Sequence, residues 1–110
     1  MKQLSRDEAW ALLTEYTTSE SLRKHALAVE AAMRGYAKKF SEDEEVWGVV
    51  ALLHDFDYER WPDPADHPFR GAEILRQQEY PEFVIRAILS HACYAGVTRE
   101  SKLEHTLFAC

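Results

Sequence analysis

The sequence predicts an all-α protein, on three observations. Apolar residues recur at three- and four-residue steps rather than in strict alternation. Proline and glycine, four of each, interrupt that pattern at only a few places. Helix-start signatures, Ser5 with Glu8 and Ser41 with Glu44, stand directly before apolar stripes. With 110 residues, the chain can bury one core and has no room for two domains.

The elements follow in order. After Ser5, the residues Ala9, Trp10, Leu13 and Tyr16 mark one face of a first helix, which Thr17 to Ser19 ends. Ser19 caps a second helix whose stripe is Leu22, Ala26, Val29, Met33, Tyr36 and Phe40, opposite a charged face holding Arg23, Lys24 and Glu30. Ser41 and the acidic Glu42 to Glu45 suit the positive end of a third helix, and the apolar run from Val46 to Leu53 makes it central and buried. Trp10, Tyr16, Phe40 and Trp47 are expected in the core. Residues 54–60 then run into Trp61 to Pro68, where three prolines in seven positions forbid regular helix and predict a rigid loop. Phe69 to Gln78 forms a fourth helix. Pro81 suits the first turn of a fifth, running to about Ala95 with Gly96 as its C-terminal cap. Ser101 opens a sixth, in which Leu103, Leu107, Phe108 and Cys110 are still periodic where the sequence stops, without glycine, basic last turn or polar tail. The expectation is a domain cut short at its C-terminus, whose uncovered apolar surface would favour a homodimer or a domain-swapped assembly.

The 13 Lys and Arg against 19 Asp and Glu give a net charge of −6 spread along the chain, a poor basis for binding nucleic acid or an anionic membrane surface. No run of about 18 uncharged apolar residues is present, and Met1 to Arg6 is too polar to open a signal peptide, so a cytoplasmic location is expected. Cys93 and Cys110 have neither the number nor the spacing of a disulfide framework or a cysteine-based zinc site, and read as reduced thiols.

Five histidines are the informative term in the composition. His54 and Asp55 end the apolar run of the third helix, where leaving either unpaired would cost roughly 1–3 kcal/mol. A divalent cation satisfies an imidazole nitrogen and a carboxylate at once, and the two converge most easily at a helix end. His25 falls within the apolar stripe of the second helix, His91 is in register with Val84, Ile88 and Ala95 on the fifth, and His67 closes the proline loop. Four histidines and one aspartate thus lie on elements able to surround one pocket, whereas His105, near Lys102 and Glu104, reads as an ordinary half-exposed residue.

From about residue 20 onwards, His25 followed by LLHDFDYE, DHPFRGAEIL and AILSHA resembles the HD-domain superfamily of metal-dependent phosphohydrolases. The resemblance implies a compact bundle of about five to six helices. It also implies a His, a His-Asp pair and a later Asp as metal ligands, with two further histidines in binuclear members. His25, His54, Asp55, His67 and His91 match that pattern. The final Asp is absent and would be expected just beyond Cys110, in line with the uncapped last helix.

Under that resemblance His25, His54 and Asp55 hold a first metal together with the missing carboxylate, and Asp55, the catalytic carboxylate, bridges to a second held by His67 and His91. Metal-activated water then hydrolyses a small phosphate ester or nucleotide. Several imidazoles with few carboxylates favour manganese, iron, cobalt, nickel or zinc, with magnesium also compatible. Arg70, after His67 at a helix start, is the best of three candidates to bind substrate phosphate, ahead of Arg60 and Lys24. Asp57, two residues past the pair, reads as an exposed loop carboxylate ahead of an acceptor behind a ligating histidine or an outer-sphere base, and Tyr58 and Trp61 as loop aromatics that pack onto the bundle or stack on a nucleobase. The alternative is a non-catalytic regulatory or structural module that binds metal or nucleotide.

Overall fold

Residues 4–92 and 95–109 are described by the computed structural model, and the helical expectation holds across them. Six helices are present, with no strand among the described residues: α1 (Arg6–Tyr16), α2 (Glu20–Lys39), α3 (Glu44–Leu53), α4 (Phe69–Gln77), α5 (Glu82–Ser90) and α6 (Lys102–Ala109). Helix α3 is the axis of the bundle, packed along α2 and against α1 and α5, while α4 and α6 lie on α5. Every α3 residue from Trp47 to Leu53 is buried. Among the described residues no helix is long and apolar enough to cross a membrane. Cys93 and Cys110 lie outside the described residues.

Local chemistry explains where the helices start and stop. Ser5 and Ser19 accept hydrogen bonds from the backbone N–H groups of Glu8 and Leu22, as expected of N-caps. Ser41 does not cap α3. It takes a left-handed backbone, φ 59°, and closes α2 through Glu42 N–H to Ala37 O (2.7 Å) and its own N–H to Lys38 O (3.2 Å). Having ended one helix it cannot begin the next, and Asp43 caps α3 through the N–H groups of Glu45 and Val46. Glu79, φ 65°, closes α4 in the same manner. Helix α5 ends at Ser90 rather than near Ala95, because the His91 ring donates through Nδ1 to the Ile88 carbonyl that a continuing helix would use. Pro81 is its N-cap, and Gly96, although left-handed, lies beyond the helix end.

Two expectations about the core are corrected. Tyr36 is 44% exposed and stacks on Phe40, while Ala37 takes the buried position on α2. The smaller side chain suits the face that meets α3. Trp10, Tyr16 and Phe40 are only partly buried at the core margin, whereas Trp47 is fully inside.

Glu30, assigned to a charged outer face, is instead buried. It accepts bidentately from Arg6 of α1 (2.6 and 3.0 Å) and from Arg34 Nε (3.0 Å). The Arg34 guanidinium lies over Gly48 of α3, where an added Cβ would meet it at 2.6 Å, so one carboxylate ties three helices together. Burial pushes the Glu30 carboxyl up, and the hydrogen bonds from Arg6 and Arg34 outweigh it, holding it below its ordinary 4.5. Glu30→Ala should therefore lower the unfolding free energy, read by urea denaturation, by about 3 kcal/mol, the low end for a buried pair because Arg6 stays partly exposed. A carboxyl with a depressed folded pKa stabilises above its unfolded value and loses that contribution as pH falls, so the gap between wild type and variant should close on acidification.

Candidate metal centre

Two helix ends build the core of the site. His54 is the C-cap of α3 and His91 the C-cap of α5. Each ring turns back so that Nδ1 donates to the carbonyl three residues earlier, Ala51 O at 2.6 Å for His54 and Ile88 O for His91. The imidazole thereby adds a donor to a carbonyl that otherwise receives only the cap residue's own N–H, at 3.4 Å. Because a carbonyl only accepts, the proton must sit on Nδ1, and Nε2 of each ring points away from its helix with its lone pair bare or with a second proton.

Asp55 follows His54 in a run of turns whose backbone is pinned to the start of α2. The Thr17 hydroxyl donates to Phe56 O (3.0 Å), and the Glu59 carboxylate accepts from Thr18 and Ser19 N–H, the latter at 2.7 Å. That tie brings the first turns of α2, which carry His25, over Asp55. His67 arrives from the proline loop with its ring buried and its Nδ1 2.6 Å from Asp57 Oδ1.

The four histidines converge on the Asp55 carboxylate. Its Oδ2 lies 3.2 Å from His54 Nε2 and 3.7 Å from His25 Nε2. Its Oδ1 lies 3.2 Å from His67 Nε2 and 3.1 Å from His91 Nε2. The donors fall into two groups able to hold a cation, His25–His54–Asp55 and Asp55–His67–His91, each with its ligand atoms within 4.8 Å of one another. One carboxylate oxygen faces each group.

Neutral rings in this arrangement would aim lone pairs at a carboxylate, so the site requires cations. Protons are one solution. Burial lowers His54 and His67, yet Asp55, joined at His67 by Asp57, outweighs it and raises both, His67 to about 9. Burial likewise raises Asp55, but the hydrogen bonds from His54, His67 and His91 drive it far below the usual carboxylate range. Several imidazolium rings with centroids 5.3–5.6 Å apart would repel one another. Divalent ions are the other solution, and the donor set fits them. Two ligands about 2.1 Å from one ion stand about 3.0–3.4 Å apart at octahedral or tetrahedral angles, and three of the four separations at Asp55 fall in that interval.

Several neighbouring residues differ from expectation. His25 is not a core histidine: its side chain is 49% exposed, at the rim of the site beside the His54 ring. Asp57 is not an exposed loop carboxylate but is 1% exposed, accepting from His67 at Oδ1 and from Gly71 N–H (2.9 Å) at Oδ2. Only its position two residues past Asp55 hinted at that. His105 is exposed. Trp61 packs on Tyr16, while Tyr58 stays 43% exposed with its ring edge-on to His67 at 5.4 Å. Lys24 pairs with Glu20, Arg60 lies over the Tyr16 ring, and Arg70 pairs with Asp66 (3.3 Å) and Glu73 (3.9 Å).

A family model described as HD domain matches residues 22–107, a span that contains all five converging residues. No solved structure matches the chain.

The pH dependence of the metal-free fold follows from His67. A histidine whose folded pKa is raised stabilises fully below its unfolded value near 6.5 and loses that contribution as pH rises through the folded value, here about 9. Chelator-treated protein should therefore melt at progressively lower temperature between pH 6.5 and 9.5. A divalent ion held by these groups would replace the protons, so added metal would then remove that decline.

Proposed function

The chain belongs to the HD-domain family, and from that membership we propose that it is a metal-dependent phosphohydrolase acting on a small phosphate ester or nucleotide. The observation that carries the reading is the single carboxylate, Asp55, facing four imidazole Nε2 atoms with two of them at each oxygen.

His25, His54 and Asp55 would hold one divalent ion and Asp55, His67 and His91 a second, drawn from manganese, iron, cobalt, nickel, zinc or magnesium. Ions bound there supply a nucleophile from water at neutral pH and neutralise developing phosphoryl charge. The chain's own residues do the rest. Asp55 is the catalytic residue, since its two oxygens fix the spacing of the groups. The Nδ1 acceptors of His54, His67 and His91 keep each Nε2 presented inward, so little reorganisation is needed on loading. Arg70, in the first turn of α4, is the proposed contact for substrate phosphate and would exchange Asp66 and Glu73 for it. Tyr58, exposed and edge-on to the His67 ring, is the aromatic side chain next to the centre.

The test is elemental analysis of the purified chain, followed by turnover on a panel of phosphomonoesters and phosphodiesters with added manganese. Bound metal with hydrolysis supports the reading. Stoichiometric metal without turnover of any member favours the non-catalytic binding module instead.

Two variants sharpen the assignment. Asp55→Ala should lose both ions and fall to the uncatalysed background, as measured by metal content and initial rate. Arg70→Ala should raise KM about tenfold with a far smaller change in kcat, the signature of lost phosphate binding rather than lost chemistry.

A further inference from the structure

We infer that Asp57 is a positioning residue that orients His67 and thereby makes Asp55–His67–His91 the tighter of the two ion-binding groups. The inference rests on the proposal that these groups hold divalent ions, and is independent of whether a phosphoester is the substrate.

Burying a carboxylate is costly unless every oxygen is satisfied. Asp57 is buried to 1% exposure and spends one oxygen on His67 Nδ1 (2.6 Å) and the other on the Gly71 N–H (2.9 Å), an otherwise free donor in the first turn of α4. The carboxylate is held against the backbone with no slack: a Cβ at Gly71 would stand 3.0 Å from both Cγ and Oδ2 of Asp57. His67 is consequently fixed from behind by a rigid, charged acceptor. His54 and His91 are fixed by neutral carbonyls. A carboxylate behind an imidazole raises the basicity of its outward nitrogen more than a carbonyl does, and so strengthens it as a ligand.

The other group has the opposite character. His25 is 49% exposed at the side chain, and its Nε2 is 3.7 Å from Asp55 where the other three nitrogens stand at 3.1–3.2 Å. Binding an ion there must order a solvated side chain, whose rotamer entropy counts against affinity. The two groups share Asp55, and each holds one helix-capping histidine backed by a carbonyl, so among the described residues the difference between them lies in His67 with Asp57 against His25.

The experiment is a cobalt(II) titration of the chelator-stripped chain, followed by visible absorption and calorimetry, with melting temperature recorded for each variant. Wild type should take up one ion tightly and a second more weakly. Asp57→Asn retains shape but sets an amide N–H₂ against either the His67 or the Gly71 donor, and should weaken the tight step by about 10–100-fold while sparing the other. Gly71→Ala, which leaves Asp57 chemically intact but displaces it, should weaken the same step less. His25→Ala should affect only the weak step. The inference is overturned if Asp57→Asn leaves the tight step unchanged, if His25→Ala weakens the tight step, or if both steps weaken together with a fall in melting temperature. Wild type that takes up no cobalt overturns both this inference and the functional proposal. Wild type that loads as described yet hydrolyses no phosphoester overturns the functional proposal alone.

Discussion

The contact between the Asp55 carboxylate and four imidazole nitrogens is the constraint around which the structure is arranged. An anionic acceptor cannot sit at about 3 Å from several nitrogen lone pairs without positive charge among them. The fold nevertheless forces the approach, ending two helices with histidines whose other nitrogen is already committed to backbone. Capping and ligand presentation are the same act here: the hydrogen bond that finishes α3 or α5 also decides which nitrogen faces Asp55. A chain built for stability alone could finish either helix more simply with a glycine.

Much of this arrangement is readable from local pattern. The 3.6-residue periodicity carries six helices, and serine caps mark the starts of α1 and α2, because those signals depend on residues three or four positions apart. His54 and Asp55 stand out because an apolar run has no use for two polar groups at its end. The failures share a different cause. Glu30 and Asp57 read as solvent-facing charges, yet each is buried by a partner far along the chain, Arg6 at 24 residues and His67 at 10. Charge alone does not reveal such pairing. The displaced cap of α3 and the early stop of α5 arise because one residue was needed twice, Ser41 by the end of α2 and His91 by the site.

Buried carboxylates play two distinct parts in this bundle. Glu30, bound by two arginines, fastens α1, α2 and α3, and Glu104 accepts from the N–H groups of Glu100 and Ser101 and from Arg86 of α5, fastening the start of α6. These pairs are closed, each negative charge meeting its cations within the chain. Asp55 and Asp57 face histidines instead, whose charge is conditional. These four carboxylates are thus divided between anions that the fold has already neutralised and anions whose neutralisation is left to ligands or protons.

The placement of His54 at the end of α3 has a dynamic consequence. Helix α3 is buried from Trp47 to Leu53, and amides in so buried a helix are expected to open only with global unfolding. The floor of the site therefore moves on the slowest timescale the protein possesses. His25 stands on α2, which packs along α3, yet its side chain is 49% exposed, so at the rim the backbone is held as firmly as the floor while the ring itself reorients on the timescale of a surface side chain.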